Sequence, residues 1–228
     1  MKKLFTMFFV LLLIIFLLPV NAQVKLGLQG GVNLADASVD PVPQGWEIGM
    51  RTAFMVGGVF NYNFSPILSL QAEPAYIQKG ASIDGTEMEG GMNIKFESTF
   101  SADYIDVPVL LKASFGNEQV KPFLLAGASV SFLLGDAKQT IDKATINGQD
   151  VTNQIPSSEK EQTIKGKSTD FILNFGGGVM IPVGQQVDIF VEGQYNLGLT
   201  NVNDEPGPEQ PEVKNRGIQI KAGALFAL

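Results

Sequence analysis

The run Val187-Asp-Ile-Phe-Val-Glu-Gly-Gln-Tyr-Asn-Leu-Gly-Leu199 decides the fold. Its odd positions, Val187, Ile189, Val191, Tyr195, Leu197 and Leu199, are apolar with Gly193 as the one gap. Its even positions carry Asp188, Glu192, Gln194 and Asn196, and Phe190 is the main exception. A period of two is a β-strand with its two faces in different media. The run is longer than a typical soluble strand of about 5–6 residues. It exceeds the 9–11 or so residues that a tilted strand needs to cross a bilayer. This strand therefore reads as membrane-spanning, with its charged face turned away from lipid.

Seven further stretches repeat the device. They are Val24 to Leu34, Ala53 to Phe64, Ile67 to Gly80, Ala102 to Phe115, Lys121 to Leu134, Thr169 to Val183 and Asn215 to Leu228. The fifth of the eight strands, Lys121 to Leu134, is apolar on both parities and leaves its facing open. Connections after the second, fourth and sixth strands are short, with turn signals at Asn63-Phe64-Ser65-Pro66, Gly116-Asn117 and Gly184-Gln185-Gln186. The other four are long: Ala35 to Thr52, Ala81 to Ser101, Gly135 to Ser168 and Thr200 to Lys214. Alternating short and long connections with an even strand count predict an all-β, eight-stranded antiparallel up-and-down transmembrane β-barrel. Its termini and short turns are expected on the periplasmic side of the cell outer membrane, and its long loops outside.

The start of the chain agrees with export. Met1-Lys2-Lys3, the apolar block Leu4 to Leu18 and the small residues Val20 and Ala22 read as a signal peptide over residues 1–22, which leaves 23–228 as the barrel domain. With no cysteine there is no disulfide framework, thiolate chemistry or lipid-anchoring residue, and with no histidine the usual general base and the commonest metal ligand are missing. The formal charge is −7, without a bulk basic patch for nucleic acid.

Charge placement adds an independent sign. In the long loops acids outnumber bases about two to one, whereas strands and short turns carry the two signs in near balance, mostly on the polar parity. A narrow interior filled by opposing charges requires that balance, because an unpaired buried charge costs several kcal/mol. Glu73, Asp106, Lys112, Asp188, Glu192 and Lys221 are the expected lumen network, with Glu73 paired to Lys112 and Glu192 paired to Lys221. Its expected role is structural.

Several stretches carry a family resemblance. Tyr104-Ile-Asp-Val-Pro-Val-Leu-Leu-Lys112 is the most telling, joined by Lys25-Leu-Gly-Leu-Gln-Gly-Gly-Val-Asn-Leu34, Glu73-Pro-Ala-Tyr-Ile-Gln-Lys-Gly80, Tyr195-Asn-Leu-Gly-Leu-Thr-Asn201 and Lys214-Asn-Arg216. Together, and in this order, they resemble the PorT-like outer-membrane β-barrel proteins of Bacteroidetes. The resemblance spans the mature chain and implies an eight-stranded outer-membrane barrel, some of whose relatives serve protein secretion. Pro74 and Pro108 fall inside proposed strands, and since the family pattern carries prolines at both places they are expected to mark bends.

Signals for chemistry are sparse. Gly176-Gly177-Gly178 lacks the Lys-Ser/Thr of a phosphate loop, so these glycines are expected to admit a bend or a close side chain. The loop acids Asp84, Glu87 and Glu89, and Asp204, Glu205, Glu209 and Glu212, lack a calcium-loop spacing and read as solvated charge that divalent ions bridge to lipopolysaccharide phosphates. Trp46, Tyr62, Tyr104 and Tyr195 are candidates for aromatic girdles. The expectation is a monomeric, non-catalytic barrel without metal or cofactor, embedded in outer-membrane lipid and lipopolysaccharide. It would act as a structural or surface-interaction protein through acidic outer loops, toward surface proteins or a secretion machinery. A narrow pore for ions or small solutes is the alternative, and a soluble secreted ligand-binding barrel the third reading.

Overall fold

The structure, a computed structural model, describes residues 24–116, 119–204 and 210–228. The expected signal peptide, the turn residues Asn117 and Glu118 and the loop acids Glu205 and Glu209 lie outside the described residues. The strands are β1 (Val24–Asp40), β2 (Trp46–Gly49), β3 (Arg51–Asn63), β4 (Leu68–Ala72), β5 (Ala75–Glu89), β6 (Met92–Ser114), β7 (Lys121–Leu133), β8 (Ala137–Ile146), β9 (Gln149–Asp150), β10 (Glu161–Ile164), β11 (Thr169–Val183), β12 (Val187–Gly198) and β13 (Glu212–Ala227). β13 pairs antiparallel with β1, which closes an eight-stranded ring of β1, β3, β4 with β5, β6, β7, β11, β12 and β13. Closure removes the free edges that an open sheet would expose to lipid.

The two parities separate as the alternation requires. On β12, Val191 is 56% exposed and Glu192 1%. Ile105, Val109, Leu111 and Phe115 line the outer side of β6 and its end. At about 3.3 Å per residue and a tilt of about 40°, that run rises about 25 Å, the height of an outer-membrane apolar band. An apolar face outside and a polar face inside rule out the ligand-lined interior of a lipocalin-like barrel. Phe190, the exception to the pattern, points into the lumen and is buried. β7 resolves as odd residues inward, with Phe123, Leu125, Ser129 and Ser131 buried and Leu124 and Phe132 outside.

The proposed third strand is two strands. β4 ends at Ala72 and β5 begins at Ala75, so Glu73 and Pro74 interrupt the ladder. The Glu73 N–H donates to Pro108 O at 3.1 Å and the Gly58 N–H donates to Pro74 O at 2.9 Å, so the two prolines meet at this one break. The glycines of β11 serve close approach. A Cβ on Gly178 would lie 2.7 Å from Phe123 Cζ, and one on Gly176 would lie 2.7 Å from Gln194 Cγ.

Three of the long connections are not simple loops. β5 and β6 run on together to a tip at Gly90 (φ 57°) and Gly91 (φ 81°), two left-handed positions that glycine fills without strain. β6 reaches 23 residues, about twice what the membrane needs. Beyond the barrel the extended hairpin gains β2 on one side and β8 and β10 on the other. The result is a projecting five-stranded sheet in the order β10-β8-β6-β5-β2. The face continuous with the lumen is mainly apolar, with Ile48 opposite Ile83, Ile94 opposite Ile146 and Phe96 opposite Ala144, and Ser98 and Gln139 among them. The outer face carries charge, with Glu47 opposite Asp84 and Glu97 opposite Lys143. The expected girdle is corrected here in two places. Trp46 sits in this sheet, edge-on to Phe96 at 5.5 Å. Tyr104 faces the lumen, 3% exposed.

Candidate functional site: the charged lumen

The inward parity of the ring gathers charged and amide side chains into one buried column. Nearest the short turns, Lys25 pairs with Asp188. An apolar layer of Val59, Leu110, Phe123, Leu125, Met180, Phe190 and Leu225 crosses the barrel here. Lys112 is rooted at this level, with its ammonium 3.9 Å from the centre of the Phe123 ring and 5.9 Å from that of Phe190. Its Nζ donates to Gln71 Oε1 at 3.0 Å.

Above that layer lies the central cluster. Gln71 Nε2 donates to Glu73 Oε1 at 2.5 Å, and Lys221 Nζ donates to Glu73 Oε2. Lys221 also stands 3.0 Å from Glu192 Oε1, which accepts from Gln194 Nε2 at 2.6 Å. Two buried carboxylates thus share one ammonium, and the Lys112 ammonium joins the cluster through Gln71. Glu192 and Lys221 oppose each other directly in the register of β12 and β13. The expected pair of Glu73 with Lys112 does not form. Ser69, not Glu73, lies opposite Lys112, four residues along the strand, so Lys112 reaches Gln71 while Glu73 reaches across the lumen to Lys221.

A second cluster sits toward the long loops. Lys79 Nζ donates to Ser131 Oγ at 2.7 Å and to Asp170 Oδ2 at 3.4 Å. The Ser131 hydroxyl donates to Asp106 Oδ1 at 2.5 Å, and Asn215 Nδ2 donates to Asp170 Oδ2 at 3.0 Å. Outside the column, on the outward parity of β13 and β1, Arg216 Nε donates to Asp36 Oδ2 at 2.6 Å. The sequence reading left Lys79 and Asp170 out of the network, although both lie on the polar parity of their strands.

Among the described residues, nearly all buried polar side-chain atoms without a protein partner line this column. They belong to Gln29, Asn61, Ser129, Asp170, Asn174, Glu192, Gln194 and Asn196, with Asn93 the exception outside it. A cavity of about 10 Å³ beside Asn33, Lys79, Asp106, Asn196 and Asn215 has room for about one water. Among the described residues no group of three or more acidic side chains is arranged to hold a metal ion.

In the projecting sheet, Lys138 Nζ is 2.7 Å from Glu161 Oε1, and that bond and charge hold its ammonium above the usual lysine range. The Thr152 hydroxyl and N–H hold the Asp150 carboxyl below its usual range.

Comparison with known proteins follows the same lines. A family model described as outer membrane protein beta-barrel domain matches residues 21–204. No curated protein matches the sequence. Among solved structures, a major outer membrane protein from Thermus thermophilus is similar at 14% identity and TM-score 0.46, covering 91% of this chain and 100% of that one. Neisserial surface protein A is similar at 18% identity and TM-score 0.45, covering 91% and 99%. The outer membrane protease OmpT from Escherichia coli is similar at 10% identity and TM-score 0.41, covering 90% and 97%. The chain belongs to the outer membrane protein beta-barrel domain family and is a protein of the outer membrane.

Proposed function

We propose that this protein is a non-catalytic surface-interaction barrel, anchored in outer-membrane lipid and lipopolysaccharide as a monomer, that presents its projecting sheet to a protein partner. The single observation carrying this reading is the five-stranded sheet standing on a lumen filled with side chains. A barrel built for bulk transport needs more strands or an empty interior. Here the interior is packed, and the chain instead invests its long connections in rigid β-structure. We take the short turns as periplasmic and the sheet as extracellular, the usual polarity of such barrels. The lumen network of Glu73, Asp106, Lys112, Asp188, Glu192 and Lys221 then has a structural role, holding the staves in register.

The PorT-like motifs support a partner in a secretion machinery, reached through the acidic outer face of the sheet. The test replaces residues 82–99 and 138–163 by short turns. The trimmed barrel is expected to insert and to keep its heat-modifiable gel migration while losing its envelope neighbours in quantitative proximity labelling. An unchanged neighbour set would contradict the proposal.

A further inference from the structure

The projecting sheet carries the chain's one tryptophan near its tip. Trp46 on β2, Gly85 on β5 and Phe96 on β6 stand directly opposite one another across three strands, so their side chains share one face. The middle position has no side chain. A Cβ on Gly85 would lie 2.1 Å from Phe96 Cζ, so the phenyl ring rests over the glycine and meets the indole edge-on at 5.5 Å, with the two planes 82° apart. Two half-buried rings thereby form the walls of a corner.

Glu87, two residues on from Gly85, lies on the same face. Its Oε1 accepts from Trp46 Nε1 at 3.2 Å, and this bond holds an exposed carboxylate beside the ring pair. Glu89 follows on the same parity, opposite Met92 at the end of β5. Lys95 and Lys143, the lysines of this part of the sheet, belong to its other face. Among the described residues, the cations that stand over aromatic rings are Lys79 and Lys112 in the lumen, and neither touches Trp46 or Phe96.

Aromatic faces carry negative potential and attract an ammonium or guanidinium group within about 6 Å of the ring centre. A carboxylate at the rim adds to that attraction and repels anions. Rings and carboxylate therefore select the same kind of ligand. We propose that the Trp46–Phe96 corner, with Glu87 at its rim, receives the side-chain cation of a lysine or arginine on the partner protein. This rests on the reading of the sheet as a partner-binding surface, and it gives that partner a chemical class, a basic segment. The acidic surplus of the long loops favours the same approach.

Because Trp46 is the one tryptophan, its emission in the purified full-length protein reads this corner alone. Titration with acetyl-tetralysine amide at constant ionic strength is expected to change that emission saturably. Glu87→Gln and Phe96→Leu are each expected to raise the half-saturating concentration about threefold to fivefold. Glu47→Gln removes the same charge from the other face and is expected to leave it unchanged. Heat-modifiable migration confirms that each variant is folded, and if Phe96→Leu alters the emission of the unbound protein, Glu87→Gln carries the same outcome. No saturable response, or equal weakening by Glu47→Gln and Glu87→Gln, overturns the proposal. A response to tetramethylammonium chloride without one to the peptide assigns the corner to a free small cation and overturns it as well. The titration contains no envelope protein, so its failure is distinct from an unchanged neighbour set after trimming the sheet.

Discussion

Lys221 and Glu73 join across the lumen from positions 148 residues apart, with side chains 1% and 0% exposed. The same ammonium holds Glu192. Removing one partner of a buried ionic cluster leaves the rest uncompensated, at about 3–5 kcal/mol. Lys221→Met should lower the unfolding free energy from urea titration in detergent by that amount, while Lys221→Met with Glu73→Gln and Glu192→Gln should recover most of the loss. Equal unfolding free energies for wild type and the single variant would show that the cluster carries no such energy.

Lys112 and Phe123 form the best-defined cation–π pair, at 3.9 Å. Desolvated pairs of this kind contribute about 2 kcal/mol. A double-mutant cycle of Lys112→Met and Phe123→Leu, read by urea unfolding, is expected to give a coupling of about 1–2 kcal/mol. Additive effects would mean that the ring only fills space.

Two glycines on paired strands give opposite expectations. A Cβ on Gly178 would lie 2.2 Å from Val191 O, whereas one on Gly193 would meet its nearest atom, Gln219 O, at 4.0 Å. Gly178→Ala is expected to reduce the folded fraction on unboiled gels. Gly193→Ala should leave the unfolding free energy within about 0.5 kcal/mol of wild type. Equal behaviour would contradict the inward and outward assignment of β11 and β12.

Asp150 offers a pH test outside the membrane. Its folded pKa lies below the ordinary value because Thr152 bonds to the carboxylate. A depressed carboxyl contributes stability above its unfolded pKa and loses it as pH falls through the folded one. Amide exchange at Thr152 is therefore expected to accelerate only below the ordinary carboxylate range, and Asp150→Asn should abolish that dependence.

The barrel was legible because lipid imposes a period of two that no turn or loop imitates. Thr169–Val183 is β11 as read, and the deciding run ends one residue later than β12. Legibility failed where that constraint ends. Beyond the membrane both faces of β5, β6 and β8 meet water or one another, so residues 81–101 read as loop although they continue the hairpin. The charge pairing failed for a different reason. Alternation tells which residues face inward but not how far along the axis each sits. The break at Glu73 and Pro74 set Glu73 against Pro108 and sent its carboxylate to Lys221.

The central claim is that hydrocarbon touches the apolar parity and that the ionic parity is sealed inside. Labelling outer-membrane vesicles with a lipid-soluble carbene probe, followed by peptide sequencing, tests it directly. The structure predicts label on Val191 and Ile220 and none on Glu192 or Lys221. Label on Glu192 and Lys221 with Val191 and Ile220 spared would contradict it.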